Sequence, residues 1–576
     1  MKGLVQLHHL IWLLFGFVLF AQPSLNAQNI EQTDLQKKGQ FSGSFDMNGN
    51  WFIKDEDIGA SGIPQYDEGL FGIEAWLNLK YRISGFEVGM RFDFFNNSDL
   101  LNPSDVYSMY GLGRVYASKS IGKFDIMAGY IYDQIGSGII FRAYEERALF
   151  IDNALIGGRL KYSITDDIQL TILGGKQRNL VGWGATNWGR PAPAEWNGDI
   201  FPMYDSWLYG GKIDAFFATE DYSMTFTPGI GVMSKKLSDS QVDGLENALG
   251  TYTPEDFIEC VPYYTYAFSV YNTLQAGSFA WYTEAAYKTD DTFYDQFAPH
   301  LLWTGEEVDG KYVVSPGYVI YNAVNYSLGK FAVSAEYKVT KDFVFRADPF
   351  ATLNRGMVTY LPPMARVNTY RLTGRYAPAT QDLGELAGQL EFAYRPSRKH
   401  GMVLNGSHIN TDDGVGLYRE IYFEYTWKRP RKSTLITGIQ HQWYNQDRYE
   451  GKPGVPIIKT ITPYVDYLWI FDRKKSLRME VQYMHTEQDY GSWLWAFAEF
   501  SIAPHWIFEI SDMWNVVPKK SDKKNHYPTV GVTYSVDSHR FSVRYVKQVE
   551  GVVCSGGICR LEPAFSGVRM TVSTQF

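Results

Sequence analysis

The chain has 576 residues, a formal net charge of −9 and three cysteines, and it carries 41 Tyr, 36 Phe and 16 Trp at a mean hydropathy of −0.25. The acidic balance excludes nucleic acid as a partner, and so few cysteines exclude a disulfide scaffold while suiting an exported chain. Beyond the first 27 residues no apolar run approaches the roughly 20 residues of a membrane helix. Many aromatics at modest mean hydropathy fit a transmembrane β-barrel, whose strands hide apolar side chains by alternation and carry aromatic girdles.

Lys2, the apolar run Leu10 to Phe20 and the small residues Ser24-Leu25-Asn26-Ala27 before Gln28 read as a signal peptide over 1–27. Its core is too short to span a bilayer as a helix. No Cys stands at the cleavage point, so the mature chain is not read as a lipoprotein. Residues 28–39, with Gln32, Asp34 and Gln36, form a short polar periplasmic lead-in, and 40–576 form the barrel. No plug domain of the size found in siderophore transporters is visible, which removes the usual sign of energised uptake.

From residue 40 onward, period-2 segments recur. Phe86, Val88, Met90, Phe92 and Phe94 alternate with Glu87, Gly89, Arg91 and Asp93. Phe331, Val333, Ala335, Tyr337 and Val339 alternate with Ala332, Ser334, Glu336, Lys338 and Thr340. Ile421, Phe423, Tyr425 and Trp427 oppose Glu420, Tyr422, Glu424, Thr426 and Lys428, and Leu477, Met479, Val481 and Tyr483 oppose Arg478, Glu480 and Gln482. Each is about the length of a tilted membrane strand. A soluble sandwich would use the same pattern with the apolar side as its core.

Short turns rich in Gly, Pro, Asp and Ser fall at 84–85, 120–122, 166–167, 220–221, 276–277, 328–329, 396–397, 429–430, 472–473, 503–504 and 537–538. Between them lie connections that are mostly longer, at 51–69, 97–108, 135–153, 179–205, 235–260, 290–316, 343–383, 411–416, 446–454, 487–491, 515–525 and 550–560. This predicts an all-β, antiparallel up-and-down transmembrane barrel of about 24 strands, within about two either way. The even count puts both termini and the short turns on the periplasmic side and the long loops outside.

Four regions are candidates for function. The inward polar ladder includes Glu87, Arg91, Asp93, Arg159, Lys161, Glu284, Lys288, Glu336, Lys338, Glu424, Arg478, Glu480, Arg544 and Arg569. A barrel this wide cannot fill its lumen with its own side chains. Charges lining it bias which solutes pass, or simply pair across strands. Loop 135–153 sets Ile139-Ile140-Phe141 beside Arg142, Glu145, Glu146 and Arg147. Folded inward, it becomes a constriction; packed on neighbouring loops, it becomes an external cap. The pore and constriction candidates are therefore Arg142, Glu145, Glu146, Arg147, Glu87, Arg91, Glu336 and Lys338.

Loop 343–383 interleaves Arg346, Arg355, Arg366, Arg371 and Arg375 with Phe350, Tyr360, Tyr370 and Tyr376. Arginine suits phosphate and carboxylate partners, so it reads either as a dock for lipopolysaccharide, anionic glycan or protein, or as a packed loop pairing with Asp348, Asp382 and Glu385. Loop 235–260 is acidic, through Asp239, Asp243, Glu246, Glu255, Asp256 and Glu259, and reads as solvated, with a short helix starting at Thr253-Pro254. Its spacing fits no recognised calcium loop.

Cys554 and Cys559 flank Ser555-Gly556-Gly557-Ile558, a spacing that permits either a disulfide across a hairpin tip or two free thiols; Cys260 is left over. In the last strand, Val568, Met570, Val572, Thr574 and Phe576 alternate with Gly567, Arg569, Thr571, Ser573 and Gln575. Phe576 as an aromatic carboxyl terminus reads as the signal for the barrel insertion machinery.

Enzymatic signatures are missing: there is no H-E-x-x-H, G-x-S-x-G or phosphate-binding glycine loop. His408, His441 and His485 can each lie on a strand, with no nucleophile evident beside them. The chain is read as a non-enzyme without catalytic, cofactor or metal residues. Segments 136–148 (GSGIIFRAYEERA) and 554–560 (CSGGICR), with Leu361-Pro362-Pro363, resemble a porin-like family of outer-membrane barrels of unknown function from the Bacteroidota. The resemblance implies a barrel fold and an outer-membrane location, and no catalytic residue. The expected function is a passage for hydrophilic solutes with an inward-folded loop; the alternative is a non-conducting scaffold of an envelope assembly or secretion complex. Expected partners are outer-membrane lipid and lipopolysaccharide, the barrel insertion machinery and envelope proteins.

Overall fold

The computed structural model describes residues 39–100, 106–180, 201–254 and 260–576. The expected signal peptide and nearly all of the lead-in lie outside these residues, as do parts of loops 97–108 and 179–205 and the acidic residues Glu255, Asp256 and Glu259. From Gln40–Phe52 to Phe565–Gln575, each long strand pairs antiparallel with the next. The last then pairs with the first, from Gln575 opposite Ser44 to Gly567 opposite Phe52. The result is a closed antiparallel β-barrel of 24 strands. Phe576 adds to the seam: its N–H donates to the Gly43 carbonyl at 3.0 Å and its carbonyl accepts from the Gly43 N–H at 2.7 Å.

Alternation decides which face meets what. Ile421 is 56% exposed and Val481 50%, while Glu420 is 1% exposed and Gln482 is fully buried. A soluble sandwich would show the reverse, with the apolar row inside. Here the apolar rows of the strands point away from the enclosed space and the polar rows point into it, as a bilayer-facing wall requires. The short turns fall where expected. At Ser84 and Gly85, φ is 47° and 74°, the left-handed pair that matches the twist of a two-residue hairpin.

Two long connections differ from expectation, and a third takes one of the two forms its cysteine spacing permits. Residues 290–316 are mostly strand: Phe279–Leu301 and Glu307–Leu328 continue their pairing through register shifts between Lys288 and Asp291 and between Asp295 and Pro299. The bulges change the phase of the alternation, so the extension does not read as strand. In the acidic loop, Asp239–Leu249 is an α-helix rather than a solvated loop. Ser238 and Gln241 form a capping box, and Val242, Leu245 and Leu249 are buried. The connection 549–564 holds a hairpin, Gly551–Ser555 against Ile558–Glu562, whose facing Cys554 and Cys559 are disulfide-bonded. Cys260 is free and exposed.

Candidate functional site

The charges nearest the short turns pair across strands. Glu87 accepts from Tyr116 Oη at 2.7 Å and meets Lys80 at 3.0 Å and Arg82 at 2.5 Å. Arg159 reaches Asp125 at 2.9 Å and Asp133 at 3.2 Å. Arg478 reaches Asp466 at 2.9 Å and Glu480 at 2.7 Å, and Arg544 pairs with Glu509. Glu336 accepts from Tyr321 Oη at 3.0 Å. Most of these groups keep some exposure, as a wall beside water should.

Nearer the long loops the polar wall is buried and touches two connecting segments. In 132–154, Gln134–Ile135 pairs with Phe141–Arg142 and Glu145–Glu146 with Ile151–Asp152. Gly136 and Gly138, at φ 58° and 104°, allow the reversal between the first two. Ser137 donates from its N–H at 2.8 Å and its hydroxyl at 2.6 Å to Glu284, which also accepts from Ser269 at 2.6 Å and Tyr282 at 2.5 Å. Ile135 packs so closely on Gly231 that a Cβ there would lie 2.2 Å from its methyl group.

Arg91 joins the same segment to the wall. Its guanidinium meets Asp93 at 2.5 Å, Glu145 at 2.8 Å and Asp152 at 3.0 Å. Arg178, fully buried, also pairs with Asp152, and Tyr132 Oη donates to Asp152 at 2.7 Å. Asp152 and Arg178 carry no signal in the sequence, because alternation says which face a charge takes but not which distant charge it meets. Arg147 reaches Asp46 at 3.1 Å and Glu145 at 3.0 Å and lies over the Trp76 ring at 4.6 Å. Glu146 accepts from the Ala148 N–H at 3.3 Å, capping the turn Arg147–Leu149.

Segment 342–383 makes similar contacts elsewhere on the wall. Lys338, fully buried, donates to the Pro362 carbonyl at 2.6 Å and pairs with Glu385 at 3.0 Å. Asn368 donates to Glu420 at 3.0 Å, Tyr370 to Asp466 at 3.3 Å and the Leu372 N–H to Gln482 at 2.8 Å. Gln440 donates to the Thr373 carbonyl at 3.1 Å. The guanidinium of Arg366 lies 3.8 Å from the Tyr422 ring centre. Arg346 pairs with Asp382 at 3.6 Å, whereas Glu385 takes Lys338 instead of an arginine of the loop.

The two segments also hold each other. The Arg142 N–H donates to the Val358 carbonyl and the Tyr360 N–H to the Gly138 carbonyl, both at 2.9 Å. Arg142 lies 3.9 Å from the Tyr360 ring centre. Asn153 donates to the Met357 carbonyl at 3.0 Å and Asn354 to the Leu149 carbonyl at 2.8 Å. The disulfide hairpin joins them: the Thr380 N–H donates to the Gly557 carbonyl at 2.7 Å and Arg560 to the Ala148 carbonyl at 2.6 Å. One buried apolar cluster runs through Ile135, Ile139, Ile140, Phe141, Phe343, Val358, Leu361 and Leu372 and onto wall residues such as Leu173, Met233, Val319, Ile409, Met484 and Trp493. Among the described residues, no group of three His, Cys, Asp or Glu side chains is placed to hold a metal ion.

No curated protein matches the chain. Among solved structures it is similar to the siderophore receptor PirA from Pseudomonas aeruginosa, at 7% identity and a TM-score of 0.40, over 94% of this chain and 81% of that one. It is similar to the copper transporter OprC at 7% identity and a TM-score of 0.41, again over 94% and 81%. A chain of the E. coli P pilus tip assembly intermediate PapC-PapD-PapK-PapG matches at 8% identity and a TM-score of 0.45, over 96% of this chain and 64% of that one. A model for a family of unknown function, DUF6029, matches residues 6–576, and the chain belongs to that family.

Proposed function

We propose that this protein, exported by a signal peptide over 1–27 to the outer membrane of a bacterium such as those of the Bacteroidota, provides a passage for hydrophilic solutes that is closed at rest. Segments 132–154 and 342–383 fold into the lumen and occlude it. The observation that carries this reading is that the wall groups they touch, from Arg91 and Glu284 to Gln440 and Gln482, belong to the inward row. In a closed barrel, a loop reaches that row only from inside. Arg142, Glu145 and Arg147 then belong to the closing element and Arg91 and Lys338 to the wall that grips it. Glu87, Arg159, Arg478 and Arg544 line the wetter vestibule on the side of the short turns, where solute charge would be sampled.

The test is planar-bilayer recording of the full chain against a variant with 137–147 replaced by a short Gly-Ser linker, and a second lacking 354–376 as well. The expected result is low conductance for the native chain, a rise on the first deletion and a larger rise on the second. A non-conducting scaffold would leave both deletions as silent as the native chain, and that outcome would overturn the passage.

A further inference from the structure

His408, His441 and His485 all lie on the outside of the barrel, on alternate strands of one stretch of wall. Strand register puts Gly388 opposite His408, His408 opposite Arg419, Arg419 opposite Trp443 and Trp443 opposite Lys459, one row across five strands. The next row toward the short turns runs Leu390, Gly406, Ile421, His441 and Ile461, and Ile461 bridges to His485. Both rows share the outward face with Ile421 and Val481, and His408, Arg419, Lys459 and His485 are exposed. They lie near the long-loop ends of their strands, at the outer rim of the bilayer-facing wall.

Two features make this patch a site rather than scattered charge. First, its cations are uncompensated. The carboxylates on strands 384–397, 416–429, 458–470 and 475–484 are Glu385, Glu391, Glu420, Glu424, Asp466 and Glu480, and all fall on the inward face. The adjoining loops carry Asp412, Asp413, Asp447, Glu450, Glu487 and Asp489; Glu450 pairs with Lys452 and Asp489 with Lys520, and none of the six forms an ion pair with Arg419 or Lys459 among the described residues. At two other places on the outer wall a lysine instead lies over a ring, Lys176 on Trp207 and Lys236 on Tyr264. Second, the wall is hollowed beside the cations. Ala335, Gly388 and Gly406 leave a groove of about 650 Å³ edged by His408, Arg419 and Trp443; Glu336 and Glu420 also line it, but their carboxylates bond to Tyr321 and Gln440 on the inward face.

We infer that this face binds an anionic, phosphorylated lipid of the surrounding leaflet, one headgroup phosphate on Arg419 and the adjacent His408, a second anionic group on Lys459 two strands beyond Arg419, and an acyl chain lying along the Gly388–Gly406 groove. Cations at an outer rim attract lipid phosphate with about a fivefold gain for each, and guanidinium matches the phosphate oxygens. The inference rests on the membrane-barrel part of the proposed function and is independent of whether the lumen opens.

The full chain is placed in phosphatidylcholine nanodiscs with or without a diphosphorylated glycolipid, and retained lipids are counted by native mass spectrometry after detergent release. The native chain should retain the glycolipid in preference to phosphatidylcholine. Arg419→Gln with Lys459→Gln should lower that retention about twenty-five-fold. Gly406→Val should lower it too without disturbing the fold, because a Cβ there meets nothing closer than a backbone oxygen at 3.8 Å. Lys176→Gln with Lys236→Gln should leave it unchanged. Equal retention by native chain and double variant, equal loss in the Lys176 and Lys236 control, or displacement by inorganic phosphate alone would each overturn the site. Failure of the native chain to enter nanodiscs at all would instead overturn the membrane barrel.

Discussion

Replacing Glu284 should loosen segment 132–154 from the wall while leaving the barrel closed. Its carboxylate is fully buried in the wall and accepts four hydrogen bonds, two of them from Ser137 at 2.8 and 2.6 Å. Bonds to a charged acceptor contribute about 1.5–3 kcal/mol each, so Glu284→Ala removes about 3–6 kcal/mol of contact between segment and wall. Relaxation and substitute waters reduce this, and about 3 kcal/mol is a working figure. That shift raises the detached population roughly a hundredfold. Ser137→Ala removes only the hydroxyl bond and should shift it about tenfold or less. Strand pairing around residue 284 uses backbone groups, so the barrel itself persists. The assay is opening frequency in planar bilayers together with proteolysis within 134–154. If Glu284→Ala lowers thermal stability but leaves openings and cleavage at native levels, Glu284 merely stabilises the wall and the latch reasoning fails.

An arginine at Val481, half exposed among the outward row, should cost about 2–4 kcal/mol in refolding titrations into vesicles if the site is near midplane; a cost near zero would place the residue in water. Replacing Cys554 and Cys559 by serine opens a five-residue separation, worth about 2 kcal/mol in chain entropy. The effect should be confined to faster cleavage at 555–558, with barrel melting unchanged. Asp489 provides a pH test. Burial alone would raise its pKa, but Lys520, Arg375 and the Tyr376 hydroxyl outweigh it and hold it below the ordinary 3.8. A depressed carboxylate stabilises above its unfolded value and loses that contribution as pH falls through the folded one. Cleavage of 342–383 should therefore rise only below about pH 4, and Asp489→Asn should show raised cleavage at neutral pH.

Much of this architecture was legible because a barrel wall is written locally. Turn residues such as Ser84-Gly85 and Asp537-Ser538 mark the hairpins, and alternation from Phe86 to Phe94 or Leu477 to Tyr483 marks faces. The extension of Phe279–Leu301 was missed because its two register shifts change the phase of that alternation. The helix Asp239–Leu249 carried its own signal in Ser238 and Gln241, masked by the weight of nearby acids. Loop 135–153 showed its oddity, an apolar triplet beside four charges, but not its partners. Glu284 and Ser137 are 147 positions apart, and Arg91 and Asp152 are 61 apart. No local pattern encodes such meetings. The outward patch of His408, Arg419 and Lys459 needed strand register before three isolated residues became neighbours.

The central claim is that the apolar rows meet hydrocarbon and the polar rows surround an enclosed aqueous space. Single nitroxide labels at Ile421 and Val481, and at Glu424 and Arg478 on the opposite face, in a Cys260→Ser background reconstituted in vesicles, test it most directly. Collision with an apolar relaxer should dominate at Ile421 and Val481, and collision with a water-soluble relaxer at Glu424 and Arg478. Water-soluble collision at all four positions, or apolar collision at Glu424 and Arg478, would contradict the account.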